Sequence, residues 1–281
     1  MTQEIRTHRR EPFARKRFGQ HFLEPAWVQK VVEAVEPTPS DQVLEIGPGR
    51  GALTRVLAPR VARVLAIEID RDLAAGLEER VPANVQVVTA DFLEANLPTL
   101  LAGTAGPVRV VGNLPYNVSS PILFRLLAAA DSGRVLSDAT LMLQREVADR
   151  VAAAAGSRDY GVLGIMVQLH AQVRRLFALP PGAFRPAPKV HSAVVRLTFR
   201  PPMVPLSDPG LFAQVVRALF SQRRKTAANA LRSFAEAKHC SAALALTRAS
   251  IDPRRRPETL ELPELATLTE VFASASPPDV L

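Results

Sequence analysis

The sequence predicts an α/β fold: a largely parallel sheet with helices on both faces, followed by a small all-α unit. Three observations predict it. Short apolar runs rich in valine and isoleucine alternate with helical patterns from Val43 to about Ala130. A glycine turn, Gly47-Pro48-Gly49-Arg50-Gly51, follows the first run, as a tight strand-to-helix connection requires. Beyond Arg200-Pro201-Pro202 only helical spacing remains. The chain has 281 residues, room for one large unit and one small one.

In chain order, residues 1–17 read as a basic arm, because His8-Arg9-Arg10, Arg15, Lys16 and Arg17 have few apolar neighbours. Pro25 opens a helix that runs to about Val35, and Pro37 and Pro39 end it. Val43 to Ile46 is a strand and Gly51 to Leu57 a helix. Val64 to Ile67 is a strand and Asp70 to Arg80 a helix. Val85 to Val88 and Val108 to Val111 are strands. A helix capped by Ser120, with Pro121 in its first turn, runs to about Ala130. Thr140 to Leu143 is a further strand, with a helix from about Glu146. Val190 to Phe199 alternates apolar with polar and predicts a late strand at an antiparallel edge. Leu211 to Phe220, Thr226 to Ala237 and Leu260 to Phe272 have helical spacing. The expected division is a basic arm (1–17), an α/β domain (18–200) and a small helical domain (201–281).

The formal net charge of +8 suits a polyanionic partner, nucleic acid before an anionic membrane surface. Arg223, Arg224 and Lys225 form a basic cluster between two helices of the C-terminal unit. Cys240 is the single cysteine, so an internal disulfide is excluded and a structural zinc site is disfavoured. The histidines show no metal-ligand spacing, and no metal is expected. No apolar run approaches the roughly 18 residues of a membrane span, and no signal segment is recognisable. A cytoplasmic, monomeric protein is expected.

Two constellations carry chemistry. In the first, Glu45, Gly47 and Gly49 lie at a strand-to-helix turn, and Glu68 ends the second strand about 20 residues on. A carboxylate at Glu68 can take both hydroxyls of a ribose. Asp91 follows the third strand and can accept from an adenine amine, with Phe92 or Ile69 against the ring. Gly47, Gly49 and Ala52 also satisfy the permissive dinucleotide fingerprint, which leaves a nicotinamide oxidoreductase open. Acids after three successive strands suit a smaller nucleoside cofactor such as S-adenosylmethionine, whose cationic end would favour Glu45.

In the second, Asn113-Leu114-Pro115-Tyr116 follows a buried strand, where an open α/β sheet binds its ligands. The Asn113 side-chain oxygen and the Leu114 carbonyl can hold the N–H groups of an exocyclic amine. That localises the nitrogen lone pair for an in-line methyl transfer. The base must leave its stack, at a cost of a few kcal/mol. Tyr116 can stack on it, with Phe184 a candidate for the other face. From spacing alone, Phe184 reads equally well as a loop anchor packed on the core.

Arg17-Phe18-Gly19-Gln20-His21-Phe22-Leu23, the Glu45 to Gly51 turn, Ala66 to Asp70, Asp91-Phe92-Leu93, Asn113 to Tyr116 and Phe184 to Val190 occur in this order. Together they resemble the ribosomal RNA adenine dimethyltransferases of the bacterial KsgA type, over nearly the whole chain. The resemblance implies the sheet of S-adenosylmethionine-dependent methyltransferases and dimethylation of N6 on two adjacent adenosines near the 3′ end of small-subunit (16S) RNA. It implies a pre-30S particle as partner and a role in small-subunit biogenesis. It implies that Gln20, His21, Leu23, Gly47, Glu68, Asp91 and Asn113 line the cofactor pocket, that Tyr116 and Phe184 bracket the adenine, and that the helical domain contacts RNA. The family usually has asparagine where this chain has His21. Large-subunit dimethyltransferases and an assembly factor that has lost catalysis are the competing readings.

Overall fold

The computed structural model describes residues 20–104, 106–131 and 135–275. The predicted arm, and Arg17-Phe18-Gly19 of the first motif, lie outside the described residues.

Strand β1 (Phe22–Leu23) precedes α1 (Pro25–Val35). The α/β run then follows as β2 (Gln42–Ile46), α2 (Ala52–Leu57), β3 (Arg63–Glu68), α3 (Arg71–Glu78), β4 (Val85–Thr89), α4 (Leu97–Leu100), β5 (Val108–Asn113), α5 (Ser119–Asp131) and β6 (Leu136–Gln144). Next come α6 (Arg145–Ala152), α7 (Val162–His170), β7 (Ala171–Leu179), β8 (Phe184–Arg185) and β9 (Ser192–Phe199). The C-terminal helices are α8 (Pro209–Ser221), α9 (Ala227–Ala237), α10 (Ala242–Arg248) and α11 (Leu262–Ala275).

The main sheet has seven strands in the order β4-β3-β2-β5-β6-β9-β7. Neighbours from β4 through β6 are parallel, whereas β9 runs antiparallel to both β6 and β7. The chain builds outward from β2 to β4, then returns to the other side of β2 as β5. The C-terminal ends of β2 and β5 are therefore the switch point at which this architecture opens a crevice.

Both faces of the sheet are covered. Leu44, Ile46, Val108 and Val110 face one apolar layer with Ile122, Leu123 and Leu126 of α5. Val43, Val64, Ala66 and Val111 face the other, with Val28, Val31 and Val32 of α1 and Leu53 and Leu57 of α2. The helical C-terminal part has its own apolar cluster, built on Phe212, Leu219, Leu231, Leu246 and Phe272. It also recruits Tyr160, Ile165 and Leu169, while Val167 of the same α7 faces the sheet layer. Asp208, Thr226 and Ser241 cap α8, α9 and α10 through their side-chain oxygens.

Four differences from the sequence reading stand out. The late strand is antiparallel but internal, because β7 pairs on its far side and takes the edge. The adjacent Arg174 and Arg175, beside a register shift before Phe177, interrupt the alternation in β7 and mask the strand signal. Helix α5 begins at Ser119, since the Val118 carbonyl already accepts from Ile122 N–H. Helices α7 and α10 went unread: α7 is apolar on several sides because it serves two cores, and α10 has only seven residues.

At the N-terminal end of β5 the Arg109 guanidinium ties the layers together. It is bidentate to Asp138 (3.0 and 2.7 Å), meets Asp41 at 2.9 Å and donates to the carbonyls of Val35 and Glu36. The Arg109 and Asp138 side chains are each 14% exposed. Arg109→Leu leaves two half-buried carboxylates without their counter-charge, so unfolding free energy should fall by about 2–4 kcal/mol. Lysine should recover little of it, lacking the fork. Urea denaturation followed by circular dichroism checks both.

Candidate active site

The crevice predicted at the switch point is a cavity of about 520 Å³. Its walls come from the β2–α2 turn, the end of β3, the loop after β5, and the segment around β1. Gln20, His21, Leu23, Glu45, Gly47, Gly49, Glu68, Ile69, Asn113, Leu114 and Tyr116 all line it. The sequence reading named each of these.

The β2–α2 turn is shaped by its glycines. Gly47 and Gly49 have φ of +66° and +58°, in the left-handed region that disfavours side chains. A Cβ on Gly49 would also sit 3.1 Å from the Phe22 ring. The turn thereby brings Gly49 N–H to within 2.9 Å of Glu68 Oε2, while Asp70 N–H donates to Glu68 Oε1 at 2.9 Å. The carboxylate can accept further bonds, as a ribose hydroxyl would require. Glu45 is 1% exposed and accepts from Thr54 Oγ1 at 2.7 Å. Burial, above all, pushes the Glu45 carboxyl up to about 7, with the neighbouring Glu68 adding to the shift. Glu68 is also raised, chiefly by burial. Ile69 is 43% exposed, an unusual state for an isoleucine, and offers an apolar wall beside Glu68.

Across the crevice, Asn113 Nδ2 donates to the His21 carbonyl at 2.6 Å. A carbonyl only accepts, so the amide must present nitrogen to it, which turns Oδ1 the other way. Leu114 N–H is held by the Met142 carbonyl at 3.2 Å. Tyr116 is fixed by its hydroxyl, 2.7 Å from Ser192 Oγ. Its ring stacks on the His21 imidazole, with centroids 5.3 Å apart and planes at 24°. His21 Nδ1 in turn lies 2.7 Å from the Pro186 carbonyl.

Three predicted residues do not reach the cavity wall. Phe184 is 1% exposed and packs in the apolar layer against α1. It pairs with Leu23 in the β1–β8 ladder, and its ring packs as an anchor on the core. Phe92 is 5% exposed and packed beneath β3 and β5. Asp91 lies one strand over from Glu68 and accepts from Leu93 N–H at 2.8 Å, capping the turn that follows β4. Phe22, Arg50, Met142, Arg185 and Ser192 were missed. Phe22 supports the glycine turn with Arg50 4.4 Å above its ring, and Ser192 holds Tyr116. Phe22 and Arg185 are placed by the pairing of β1 with β8, about 160 residues apart, for which no local signal exists.

Arg223, Arg224 and Lys225 are exposed on the turn between α8 and α9, away from the cavity wall. Arg223 donates to the Arg158 carbonyl at 2.7 Å, and the 252–256 loop is hydrogen-bonded alongside through Ala227 and Ala228.

Comparison with known proteins bears on this geometry. The family model for ribosomal RNA adenine dimethylase matches residues 13–267. The ribosomal RNA small subunit methyltransferase A of Xanthomonas euvesicatoria is 46% identical over 263 residues, covering 92% of this chain and 96% of that one. Its counterpart in Aromatoleum aromaticum is 44% identical over 273 residues, covering 94% and 96%. Among solved structures, a dimethyladenosine transferase from Plasmodium falciparum superposes with a TM-score of 0.76 at 24% identity, covering 91% and 98% of the two chains, and shows the shared fold. The 23S rRNA methyltransferase ErmE gives 0.65 at 28% identity, covering 90% and 99%. With a methyltransferase sheet, an adenine-directed motif at its switch point and this extent of similarity, the chain belongs to the ribosomal RNA adenine dimethylase family.

Proposed function

We propose that this protein dimethylates N6 of two adjacent adenosines near the 3′ end of small-subunit ribosomal RNA, with S-adenosylmethionine as methyl donor. The observation that carries the reading is the Asn113 amide, whose nitrogen is committed to the His21 carbonyl and whose oxygen is left for an amine. Identity of 44–46% to small-subunit enzymes, against 28% to the large-subunit ErmE, favours the small-subunit target.

The residues fit such a donor. Glu68 would take the ribose hydroxyls, Ile69 would pack on its adenine, and Glu45 would face the cationic end. The glycine backbone at 47 and 49 lets it approach. S-adenosylmethionine supplies an electrophilic methyl, the electrons of the breaking S–C bond staying on sulfur. The chain's part is positioning. Asn113 Oδ1 and the Leu114 carbonyl hold the two N6 hydrogens and turn the nitrogen lone pair towards the methyl. Tyr116 stacks on the base. Once alkylated, the nitrogen is acidic and releases a proton to solvent, so no strong base is needed. The protein works as a monomer on a pre-30S particle. The methyltransferase unit spans 18–200, and the helical unit from 201 contacts RNA through Arg223, Arg224 and Lys225.

Asn113→Ala should lower methyl transfer to unmodified small subunits by at least about a hundredfold, the loss typical of a deleted transition-state hydrogen-bonding group, with RNA affinity retained. A labelled-methyl assay on isolated small and large subunits, with nucleoside analysis, measures this and separates the two RNA targets. Unchanged turnover would overturn the site assignment.

The buried acid predicts a pH dependence. Glu45 has a raised folded-state pKa, so its contribution to the stability of the free protein is present below about 4.5 and lost as pH rises through about 7. Its charge appears over the same rise, so affinity for a cationic cofactor should increase several-fold from pH 6 to 8. Calorimetric titration should show that slope flattened in Glu45→Gln.

Neutralising Arg223, Arg224 and Lys225 together should weaken RNA binding and lower the slope of log K against log salt by about 2 to 3, because each phosphate contact releases roughly one counterion. A slope equal to the parent protein's would place the RNA elsewhere.

A further inference from the structure

We propose that Thr54 is a positioning residue of the donor site: its buried hydroxyl fixes the Glu45 carboxylate toward the positive end of the methyl donor. The proposal rests on the functional reading above and deepens it. The inward side chains of α2 are Leu53, Thr54 and Leu57, and Thr54 is 0% exposed. Leu53 and Leu57 pack with Val64, Ala66 and Val111 in one apolar layer. A hydroxyl buried there costs free energy unless it is hydrogen-bonded, whereas valine would fill the same space without that demand. The partner of the hydroxyl is Glu45 Oε2, at 2.7 Å.

The neighbours of the acid show why that partner matters. Glu45 pairs with Ala66 on one side and Val111 on the other, at one rung of the sheet. Registered neighbours project to the same face, and both of these are apolar and buried. Neither carries a side-chain donor. Donation to the carboxylate comes instead from α2, where Thr54 reaches back nine residues to Glu45. A helical threonine commonly returns its hydroxyl to the carbonyl one turn earlier, and here it does not. Glu45 lines the cavity and Thr54 stands behind it, off the cavity wall. Thr54 therefore acts on the donor through Glu45.

Threonine is stiff as well as polar. Branching at Cβ restricts its first side-chain torsion. Its main chain is held too, because Ala58 N–H donates to the Thr54 carbonyl. Glutamate can rotate about several side-chain bonds, so a bond to a fixed hydroxyl selects one of its orientations. The same bond favours the ionised form, since the hydroxyl donates to the charge. Burial pushes the Glu45 carboxyl up to about 7, and donation from Thr54 works against that shift. Of the charged groups around it, Glu68 on β3 opposes ionisation and Arg55 on α2 favours it. An acid balanced in this way changes charge near neutral pH. One hydrogen bond more or less then decides whether a cationic donor meets a carboxylate or a neutral acid.

The experiment measures S-adenosylmethionine affinity by calorimetry from pH 6 to 9, with thermal melting as the check on folding. The proteins are the parent, Thr54→Ser, Thr54→Val, Glu45→Gln, and Thr54→Val combined with Glu45→Gln. Thr54→Val should move the midpoint of the pH dependence up by about one unit, which lowers affinity about fivefold at pH 7 and restores it by pH 9. Serine keeps the hydroxyl and should stay within about twofold of the parent. With Glu45→Gln already present, the valine change should cost less than about twofold at every pH, because the charge it serves is gone. On small subunits at pH 7, Thr54→Val should raise KM for the donor and leave kcat within about twofold, as Thr54 does not touch the reacting atoms. Four results would each overturn the proposal. One is a parental pH profile in Thr54→Val. Another is an equal loss at every pH, which packing alone would give. The third is the same loss with Glu45→Gln present, and the fourth is serine no better than valine. Should Thr54→Val fail to fold, Thr54→Ala, which also lacks the hydroxyl, is held to the same outcomes. A parent protein that binds no S-adenosylmethionine at any pH would remove the functional reading first. Binding by the parent beside a parental profile in Thr54→Val would remove this proposal alone.

Discussion

The register of β2 against β5 is the constraint on which the site depends. Ile46 pairs with Gly112 at the last rung of the two strands. A Cβ on Gly112 would lie 2.9 Å from the Ile46 carbonyl, too close for any other residue without shifting a strand. Glycine therefore lets the strands stay paired until both end, and from there the chain departs in opposite directions. Glu45 stands one residue before that rung and Asn113 one residue after it. Acid and amide thus reach one crevice from adjacent strands. A one-residue slip would send the apolar residues of β5 to the wrong layers and carry Asn113 away from the crevice.

That crevice is expensive to build. Two carboxylates, Glu45 and Glu68, are 1% and 4% exposed, and each is harder to ionise because of its burial. The local chain offsets the cost through Thr54, Gly49 and Asp70, which donate to them. The offset is partial, and the remainder is a preference for positive charge built in before any ligand arrives. Such a preference suits a sulfonium donor, and the stability it costs is a usual feature of sites shaped for binding. By contrast Arg109, at the other end of β5, finds an acceptor for every donor and contributes stability with no functional demand on it.

What the sequence disclosed and what it concealed divide along sequence distance. The strands from β2 to β6 were legible because their valine and isoleucine runs and glycine turns are local features. Asn113, Glu45, Glu68 and Tyr116 were legible because they sit at fixed offsets from those strands. Strand β7 was hidden because Gln172, Arg174 and Arg175 interrupt its apolar run. Helix α7 was hidden because it must satisfy two cores and loses a clear polar face. For Phe184 the spacing left the base and the core equally open, since spacing cannot distinguish a ring lying over a pocket from one lying under it, and the structure packs it in the apolar layer. Its surroundings depend on the pairing of Leu23 with Phe184, a contact between distant parts of the chain.

The same α7 bears on how chemistry and affinity cooperate. Ile165 and Leu169 pack into the helical cluster, and Val167 packs on the sheet. One rigid helix of nine residues therefore belongs to both cores. Its continuation is pinned as well, because Arg200 N–H and Met203 N–H donate to the carbonyls of His170 and Leu169. A hinge at the Pro201-Pro202 linker would need these bonds broken, so the basic turn on the helical side is held in a set relation to the cavity. On the proposed reading, phosphate contacts at Arg223, Arg224 and Lys225 would raise the local concentration of a base near Tyr116 without touching it. Cationic contacts alone read no sequence, and a stacking slot alone binds weakly. Holding both in one geometry would select an adenosine by where it lies in a folded RNA, a selectivity that neither surface has by itself.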